Sequence, residues 1–181
     1  TYSGISFADA LFTSTSAVCV TGLIVVDTAT YFTTFGKVII LFLIQVGGLG
    51  ILTFASYFSF FFKGISSFES QLTISDIVSA DKVGEVFSML KYILVITFSI
   101  EAFSAMLIYL SLNEPIFDSS YQKVFFSVFH SVSAFCNAGF STLSNGMYEE
   151  GFRFNYWLQL IIIFTFGFGG LGFPIVANVA N

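Results

Sequence analysis

The chain has 181 residues, of which 56% are hydrophobic and only 9% are charged, and its formal net charge is −5. A soluble domain carries roughly 25% charged residues, so this composition and the mean hydropathy of +0.90 exclude an ordinary soluble domain and indicate a protein of the lipid bilayer. The acidic balance argues against nucleic acid as a partner, and the sequence contains no motif for a bound metal, a redox pair, a phosphate loop or a hydrolase.

The first predicted element is a short helix over residues 7–18. Ser6 is suited to cap it, and Asp9 completes a weak capping box. A helix of this length cannot cross a bilayer core of roughly 30 Å at about 1.5 Å per residue, so we expect it to enter the membrane and stop partway. A glycine-containing stretch, residues 19–23, follows it, and the polar segment 24–36 returns the chain to the same side.

A long apolar span is predicted over residues 36–62, which carry no charge beyond Lys37. Residues 63–91 form a polar connection that we expect to be partly helical. The next predicted span, residues 92–113, is interrupted by a single charge, Glu101. Both spans are long enough to cross a bilayer.

The same order of elements then recurs. A second short helix is predicted over residues 119–135, with Pro115 and Asp118 marking its start. Residues 136–140 form the second glycine-containing stretch, and an uncharged span is predicted over residues 154–181.

The two stretches SAVCVTGL and SAFCNAGF belong to an internal repeat with a period of 117 residues, the distance from Cys19 to Cys136. A second pair, GGLG, occurs once in each long helix that follows. We interpret its residues as positions for close helix packing and for bending near the inner mouth; they are Gly47, Gly48 and Gly50 in the first copy and Gly169, Gly170 and Gly172, followed by Pro174, in the second.

Non-helical backbone at membrane depth is tolerated only where it is buried in protein or lines a watery cavity. A turn at the end of a re-entrant helix leaves carbonyl groups without helical partners, and a dehydrated cation can supply the missing partner. The negative end of each short helix also points toward the membrane centre. Both effects favour a positive ion.

The sequence resembles the pore subunit of the bacterial Trk/Ktr potassium transporters, which are related to fungal Trk and plant HKT proteins. The resemblance covers essentially the whole chain and rests on TSAVCVTGL, HSVSAFCNAGF, QVGGLGILTF and FGGLGFPIVAN in that order. It implies an all-α integral membrane protein with a potassium-channel-like architecture. Each of its repeated units consists of a spanning helix, a re-entrant pore helix, a filter loop and a second spanning helix.

That family builds one pore from four such units in a single polypeptide. Residues 1–62 correspond to a first unit without its first spanning helix, and residues 92–181 correspond to a complete second unit. The chain begins at Thr1 and shows no cleavable signal, so we expect a fragment of a four-unit protein.

The resemblance implies an ion site in the two stretches, formed by backbone oxygens. Potassium is the expected cargo, sodium the alternative, and Gly22 favours potassium; no other metal and no cofactor is expected. The residues are Cys19, Val20, Thr21 and Gly22 in the first stretch and Cys136, Asn137, Ala138 and Gly139 in the second.

The resemblance also implies partners. A cytosolic nucleotide-binding regulatory subunit would dock on the inner face, where residues 63–91 are one contact surface, and the expected assembly is a homodimer. The expected location is the inner cell membrane with several passes, the filter loops opening outward. Charge does not decide the orientation, because three basic residues fall on each side.

Two polar residues in apolar helices, Glu101 and His130, are assigned to support of the filter. An ionisable side chain inside a spanning helix is costly, roughly 3 kcal/mol or more, so Glu101 is interpreted as a brace for the filter, with direct ion binding as the alternative. His130 is the only histidine. We interpret it as a residue whose ring nitrogens both have hydrogen-bond partners, and as one candidate partner of Glu101.

Two other functions remain open from the sequence. A membrane-embedded enzyme could use a serine or His130, although it would not explain the duplicated stretch. A non-conducting scaffold fragment would tolerate replacement of Gly22 and Gly139. We therefore predict potassium-selective cation uptake and no catalytic residue.

Overall fold

The computed structural model describes residues 4–63, 81–112, 116–117 and 119–171, and of residues 52, 54–63 and 81–89 it describes the helical backbone only. Within these ranges the chain forms helices and turns and no strand. The elements are α1 (Phe7–Val18), α2 (Thr28–Tyr31), α3 (Thr34–Lys63), α4 (Asp81–Ser111), α5 (Ser120–Phe135), a 3-10 turn (Gly146–Tyr148) and α6 (Tyr156–Leu171).

Both short helices begin at a serine cap. The Ser6 hydroxyl oxygen accepts from the Asp9 N–H at 3.2 Å, and the hydroxyl donates to the Asp9 carboxylate at 2.6 Å, which is the predicted capping pair. Helix α5 is capped by Ser119, which accepts from the Gln122 N–H at 3.3 Å. The sequence pointed instead to Pro115 and Asp118, which lie outside the described residues.

Helix α4 includes the end of the polar connection that was expected to be partly helical. The predicted span starts at residue 92, whereas the helix starts at Asp81 and runs without a break to Ser111. Thirty-one residues rise about 46 Å at about 1.5 Å each, so its charged first turns extend beyond the apolar core. The charged residues before residue 92 therefore do not mark a helix boundary.

The remainder of the predicted polar connection, residues 64–80, lies outside the described residues. So do residues 172–181, including Gly172 and Pro174 of the predicted last span. Helix α6 is therefore described here as Tyr156–Leu171.

Two helical segments are long and apolar enough to cross a membrane. They are Thr34–Ile51 and Leu90–Ser111, and only 22% and 28% of them, respectively, is buried inside the protein. Helix α6 is a shorter apolar helix. Large apolar side chains such as Phe42, Phe103 and Phe164 are more than half exposed, which suits a surface that faces lipid.

The helices pack around the ends of the two short ones. Helix α1 contacts α3, α5 lies against α4 and α6, and α3 also contacts α4 and α5. The main buried cluster draws on α1, α3, α5 and the stretch after α5. Its residues are Ala17, Ile40, Ile44, Phe129, Val132, Ala138 and Phe140. The core thus lies directly behind the two glycine-containing stretches.

Candidate functional site

The first turn (residues 19–23) and the second turn (residues 136–140) are built by the same hydrogen bonds. In each, two successive N–H groups beyond the helix return to carbonyls of its last turn, which is the Schellman arrangement of a helix C-terminus. The bonds are Val20 N–H to Ala17 at 3.2 Å and Thr21 N–H to Ser16 at 3.0 Å in the first turn, and Asn137 N–H to Ala134 at 3.0 Å and Ala138 N–H to Ser133 at 2.8 Å in the second.

The backbone conformations of the two turns also match. Positive φ angles occur at Val20 (57°) and Asn137 (60°), and again at Gly22 (71°) and Gly139 (73°). Glycine adopts this region freely and asparagine tolerates it, but a β-branched valine there is an outlier that costs roughly 1–2 kcal/mol. Packing around the first turn must hold Val20 in place.

The two turns lie side by side. A Cβ on Gly22 would overlap the Ala138 carbonyl oxygen and lie 3.2 Å from the Gly139 Cα. A Cβ on Gly139 would lie 3.6 Å from the Gly22 Cα, an ordinary contact. The fold therefore brings together the stretches that the sequence separates by 117 residues, with the Ala138 carbonyl between them.

The GGLG glycines make room for the ends of the short helices. A Cβ on Gly47 would overlap the carbonyl oxygen of Val18, the last residue of α1. A Cβ on Gly169 would overlap the carbonyl oxygen of Phe135, the last residue of α5. A Cβ on Gly50 has none of the described atoms within 4 Å. Gly47 and Gly169 therefore lie in close contact with neighbouring helices. Close packing is one of the two roles that the sequence indicated for these glycines.

Side-chain hydrogen bonds differ between the turns. In the second turn the Ser133 hydroxyl donates to the Phe140 carbonyl at 2.6 Å, which ties the end of α5 to the chain leaving the turn. The matching Ser16 hydroxyl lies 3.0 Å from the Thr21 hydroxyl. The two turns thus have the same backbone conformation but different side-chain hydrogen bonds.

His130 is buried and has a partner on each ring nitrogen. Nδ1 lies 2.9 Å from the Phe126 carbonyl and Nε2 lies 3.0 Å from the Ser141 hydroxyl. Because a carbonyl can only accept, Nδ1 carries a proton, and in the neutral ring Nε2 accepts from Ser141. His130 therefore links α5 to the segment that follows the second turn, as the interpretation of a satisfied histidine requires.

Glu101 is 4% exposed and lies behind the second turn. Its Oε1 accepts from Gln45 Nε2 at 3.1 Å and is 4.0 Å from the Cys136 thiol. The suggestion that His130 pairs with Glu101 is wrong, since His130 bonds elsewhere. The sequence analysis missed Gln45, although a polar side chain inside an otherwise apolar span is a visible signal.

The remaining predicted site residues are placed as follows. Cys19 and Cys136 are free thiols, the first exposed and the second half-buried. The Asn137 side chain donates to the Phe135 carbonyl at 3.3 Å. Among the residues that the structure describes, no group of three histidine, cysteine or acidic side chains could hold a metal ion.

Asp27 ties together the two segments that follow the turns, the first return segment (residues 24–36) and the second return segment (residues 141–153). It caps α2 by accepting from the Ala29 N–H at 2.8 Å, and it is also hydrogen-bonded by Thr30 and by Ser144 of the second return segment. Partial burial alone would raise the pKa of Asp27, but these hydrogen bonds and the charge of Lys37 together lower it. The carboxylate is therefore the stable form at this contact.

Replacing Ser133 by alanine should destabilise the protein. The Phe140 carbonyl would lose its buried partner, at a cost of about 1–3 kcal/mol. The midpoint of thermal unfolding in detergent should fall, whereas Ser14→Ala, which removes a hydroxyl bonded within its own helix to the Ala10 carbonyl, should change it much less. Equal midpoints for the two variants would show that the Ser133 bond is not stabilising.

Comparison with known proteins adds a family match. The model of a family described as TrkH, cation transport protein, matches residues 2–180. The chain is 36% identical over 175 residues to the Ktr system potassium uptake protein B of Bacillus subtilis, covering 97% of this chain and 38% of that protein.

Two further relatives show the same coverage. The Ktr system potassium uptake protein B of Vibrio alginolyticus is 35% identical over 177 residues, covering 98% of this chain and 38% of the relative. The potassium/sodium uptake protein NtpJ of Enterococcus hirae is 34% identical over 175 residues, with 97% and 38% covered. The chain thus spans less than two fifths of the length of the relatives it matches.

Proposed function

Because the chain belongs to the TrkH family of cation transport proteins, we propose that it forms part of a membrane pore for potassium uptake. The relatives reported above are named for potassium uptake, and one of them for potassium and sodium. Transport rather than catalysis is the role that these names indicate.

The observation that carries the proposal is the matched pair of turns. Non-glycine residues with positive φ concentrate at functional sites, where the surrounding structure holds them in place. Here the unusual conformation occurs at equivalent positions, Val20 and Asn137, and the glycines beside them lie in contact. A scaffold has no need to hold a valine in this conformation or to place two copies of the same turn in contact.

The chemistry we propose is replacement of water by backbone oxygens. The carbonyls of residues 19–22 and 136–139 would bind a dehydrated potassium ion, assisted by the negative ends of α1 and α5. Conduction requires binding that is favourable without being tight. The GGLG glycines serve this site by letting α3 and α6 support the ends of the pore helices.

A membrane-embedded hydrolase is the second candidate, because His130 and Ser141 form a serine–histidine contact at 3.0 Å. Two features favour transport nevertheless: His130 is 3% exposed, and its Nδ1 faces a backbone carbonyl instead of a carboxylate. We interpret the pair as support for the second turn.

We further propose that the protein is a multi-pass protein of the cell membrane and has a repeated pore-unit architecture. Tyr156 and Trp157, 68% and 74% exposed at the start of α6, suit the membrane–water interface. A cytosolic nucleotide-binding regulatory subunit and a homodimeric assembly remain part of the proposal through the family resemblance.

The test is potassium uptake by a bacterium that lacks its own uptake systems and expresses the complete gene, with wild type beside Gly139→Ser. Wild type should restore growth at low potassium, and the variant should lose uptake or its preference for potassium over sodium. Gly146→Ser is the matched control, because Gly146 also has a positive φ, 55°, but lies in the outer return segment. Unchanged selectivity in Gly139→Ser would remove the second turn from the ion path.

A further inference from the structure

We propose that Glu101 positions the second turn by joining it to the long helix of the first unit, and that the choice between potassium and sodium depends on this contact. The inference rests on the proposed function, because it assigns a role within the same ion site.

One carboxylate oxygen receives donors from two different elements. Gln45 Nε2, on α3, donates to Glu101 Oε1 at 3.1 Å, and the Cys136 thiol of the second turn approaches the same oxygen at 4.0 Å. The backbone of Glu101 makes a third contact, since its carbonyl accepts from the Ser131 hydroxyl of α5 at 2.7 Å. A single residue on α4 therefore contacts α3, α5 and the turn.

Cys136 is confined from the opposite side as well. Gly48 lies about one helical turn beyond Gln45 on α3, and a Cβ on Gly48 would overlap the Cys136 sulfur. The thiol is thus held between the bare backbone of α3 and the carboxyl group of Glu101. Movement of α3 or α4 would be transmitted directly to residue 136, where the second turn begins.

The cost of burying Glu101 supports a specific role. A polar group removed from water without partners is unfavourable by several kcal/mol in apolar surroundings, and an apolar side chain would pack against lipid-facing helices at no such cost. The glutamate is instead kept at 4% exposure with its donors in place.

The first turn has no corresponding arrangement among the described residues. Cys19, the counterpart of Cys136, is exposed. The GGLG motifs are offset by 122 residues, the distance from Gly47 to Gly169, so the α6 residue corresponding to Gln45 is Gly167, which offers no side chain. Among the described residues, the contact therefore occurs only at the junction between α3 and the second turn.

The test separates hydrogen bonding from charge. Glu101→Gln retains an amide oxygen that can accept from both donors, whereas Glu101→Leu removes the acceptor. In uptake assays normalised to the amount of protein in the membrane, Glu101→Leu should reduce the preference for potassium over sodium about tenfold, the equivalent of about 1.4 kcal/mol. Glu101→Gln should stay within about twofold, under 0.5 kcal/mol by the same conversion.

Gln45→Leu is the matched variant, because it removes the donor of the same hydrogen bond. It tests the contact independently if the Glu101→Leu protein does not reach the membrane. It should reduce the preference in the same direction. The double variant should be no worse than Glu101→Leu alone, because both changes remove one interaction. Additive losses would overturn the proposal, and so would Glu101→Gln behaving like Glu101→Leu.

A second readout does not depend on transport. The rate at which Cys136 reacts with a membrane-permeant maleimide, followed by peptide mass spectrometry on the full-length protein, should rise in Glu101→Leu and not in Glu101→Gln. An unchanged rate in Glu101→Leu would overturn the positioning role. If wild type takes up no potassium but Glu101→Leu still raises the labelling rate of Cys136, the proposed function fails and the positioning role stands.

Discussion

Replacing Gly169 by alanine should reduce ion uptake at least about tenfold at equal amounts of protein in the membrane. The new Cβ would overlap the carbonyl oxygen of Phe135, a backbone atom at the end of α5 that cannot rotate away. Overpacking of this kind costs about 1–3 kcal/mol, and its relief requires α5 or α6 to move, which displaces the second turn. Gly47→Ala should act in the same way on the first turn through Val18.

Each of these variants has a control in its own helix. A Cβ on Gly167 or on Gly50 meets no atom within 4 Å, so Gly167→Ala and Gly50→Ala should retain uptake close to wild type. Potassium uptake by intact cells, with membrane abundance measured in parallel, checks the prediction. If all four alanine variants behave alike, the glycines act through helix flexibility and not through contact with the ends of α1 and α5.

Gly22→Ala should abolish uptake, whereas Gly139→Ala should leave measurable uptake with reduced selectivity. Both positions have a positive φ, near 70°, so each alanine bears a similar backbone strain of roughly 1 kcal/mol. They differ in their surroundings. A Cβ on Gly22 would overlap the Ala138 carbonyl oxygen, while a Cβ on Gly139 would make only an ordinary contact with Gly22.

Concentration-dependent rubidium uptake with sodium as competitor distinguishes the two outcomes. Gly22→Ala should show no saturable uptake, and Gly139→Ala should show uptake that sodium inhibits more strongly than in wild type. Equal losses in the two variants would mean that φ strain alone governs the effect and that contact between the turns does not matter.

The sequence was most informative where a local chemical signal existed. The Ser6–Asp9 pair predicted the cap of α1, and the duplicated glycine stretches predicted where both short helices end. The sequence predicted that residues 63–91 are partly helical, but it did not predict that α4 runs without a break from Asp81 into the apolar span, because charged residues are compatible with a helix that continues outside the membrane core. Hydropathy reports the solvent around a segment, and the helix boundary depends on hydrogen bonds that hydropathy does not describe.

The details of the site depended on tertiary packing. A positive φ at Val20 contradicts the local preference of valine, so only the surrounding helices can impose it. The contact from Gln45 to Glu101 joins residues that are 56 positions apart, and the 117-residue repeat contains no information about it. Repetition could predict that the turns are alike, but it could not predict which side chains support each of them.

The unequal support of the two turns has a consequence for how such a site can change over time. In an assembly of identical subunits, one substitution in the gene appears at every copy around the ring. Here Gly22 and Gly139 are encoded separately and have different neighbours. A mutation can therefore alter one turn while the other keeps its original form. If the two turns bind the ion as proposed, the response to ions can be adjusted in small steps.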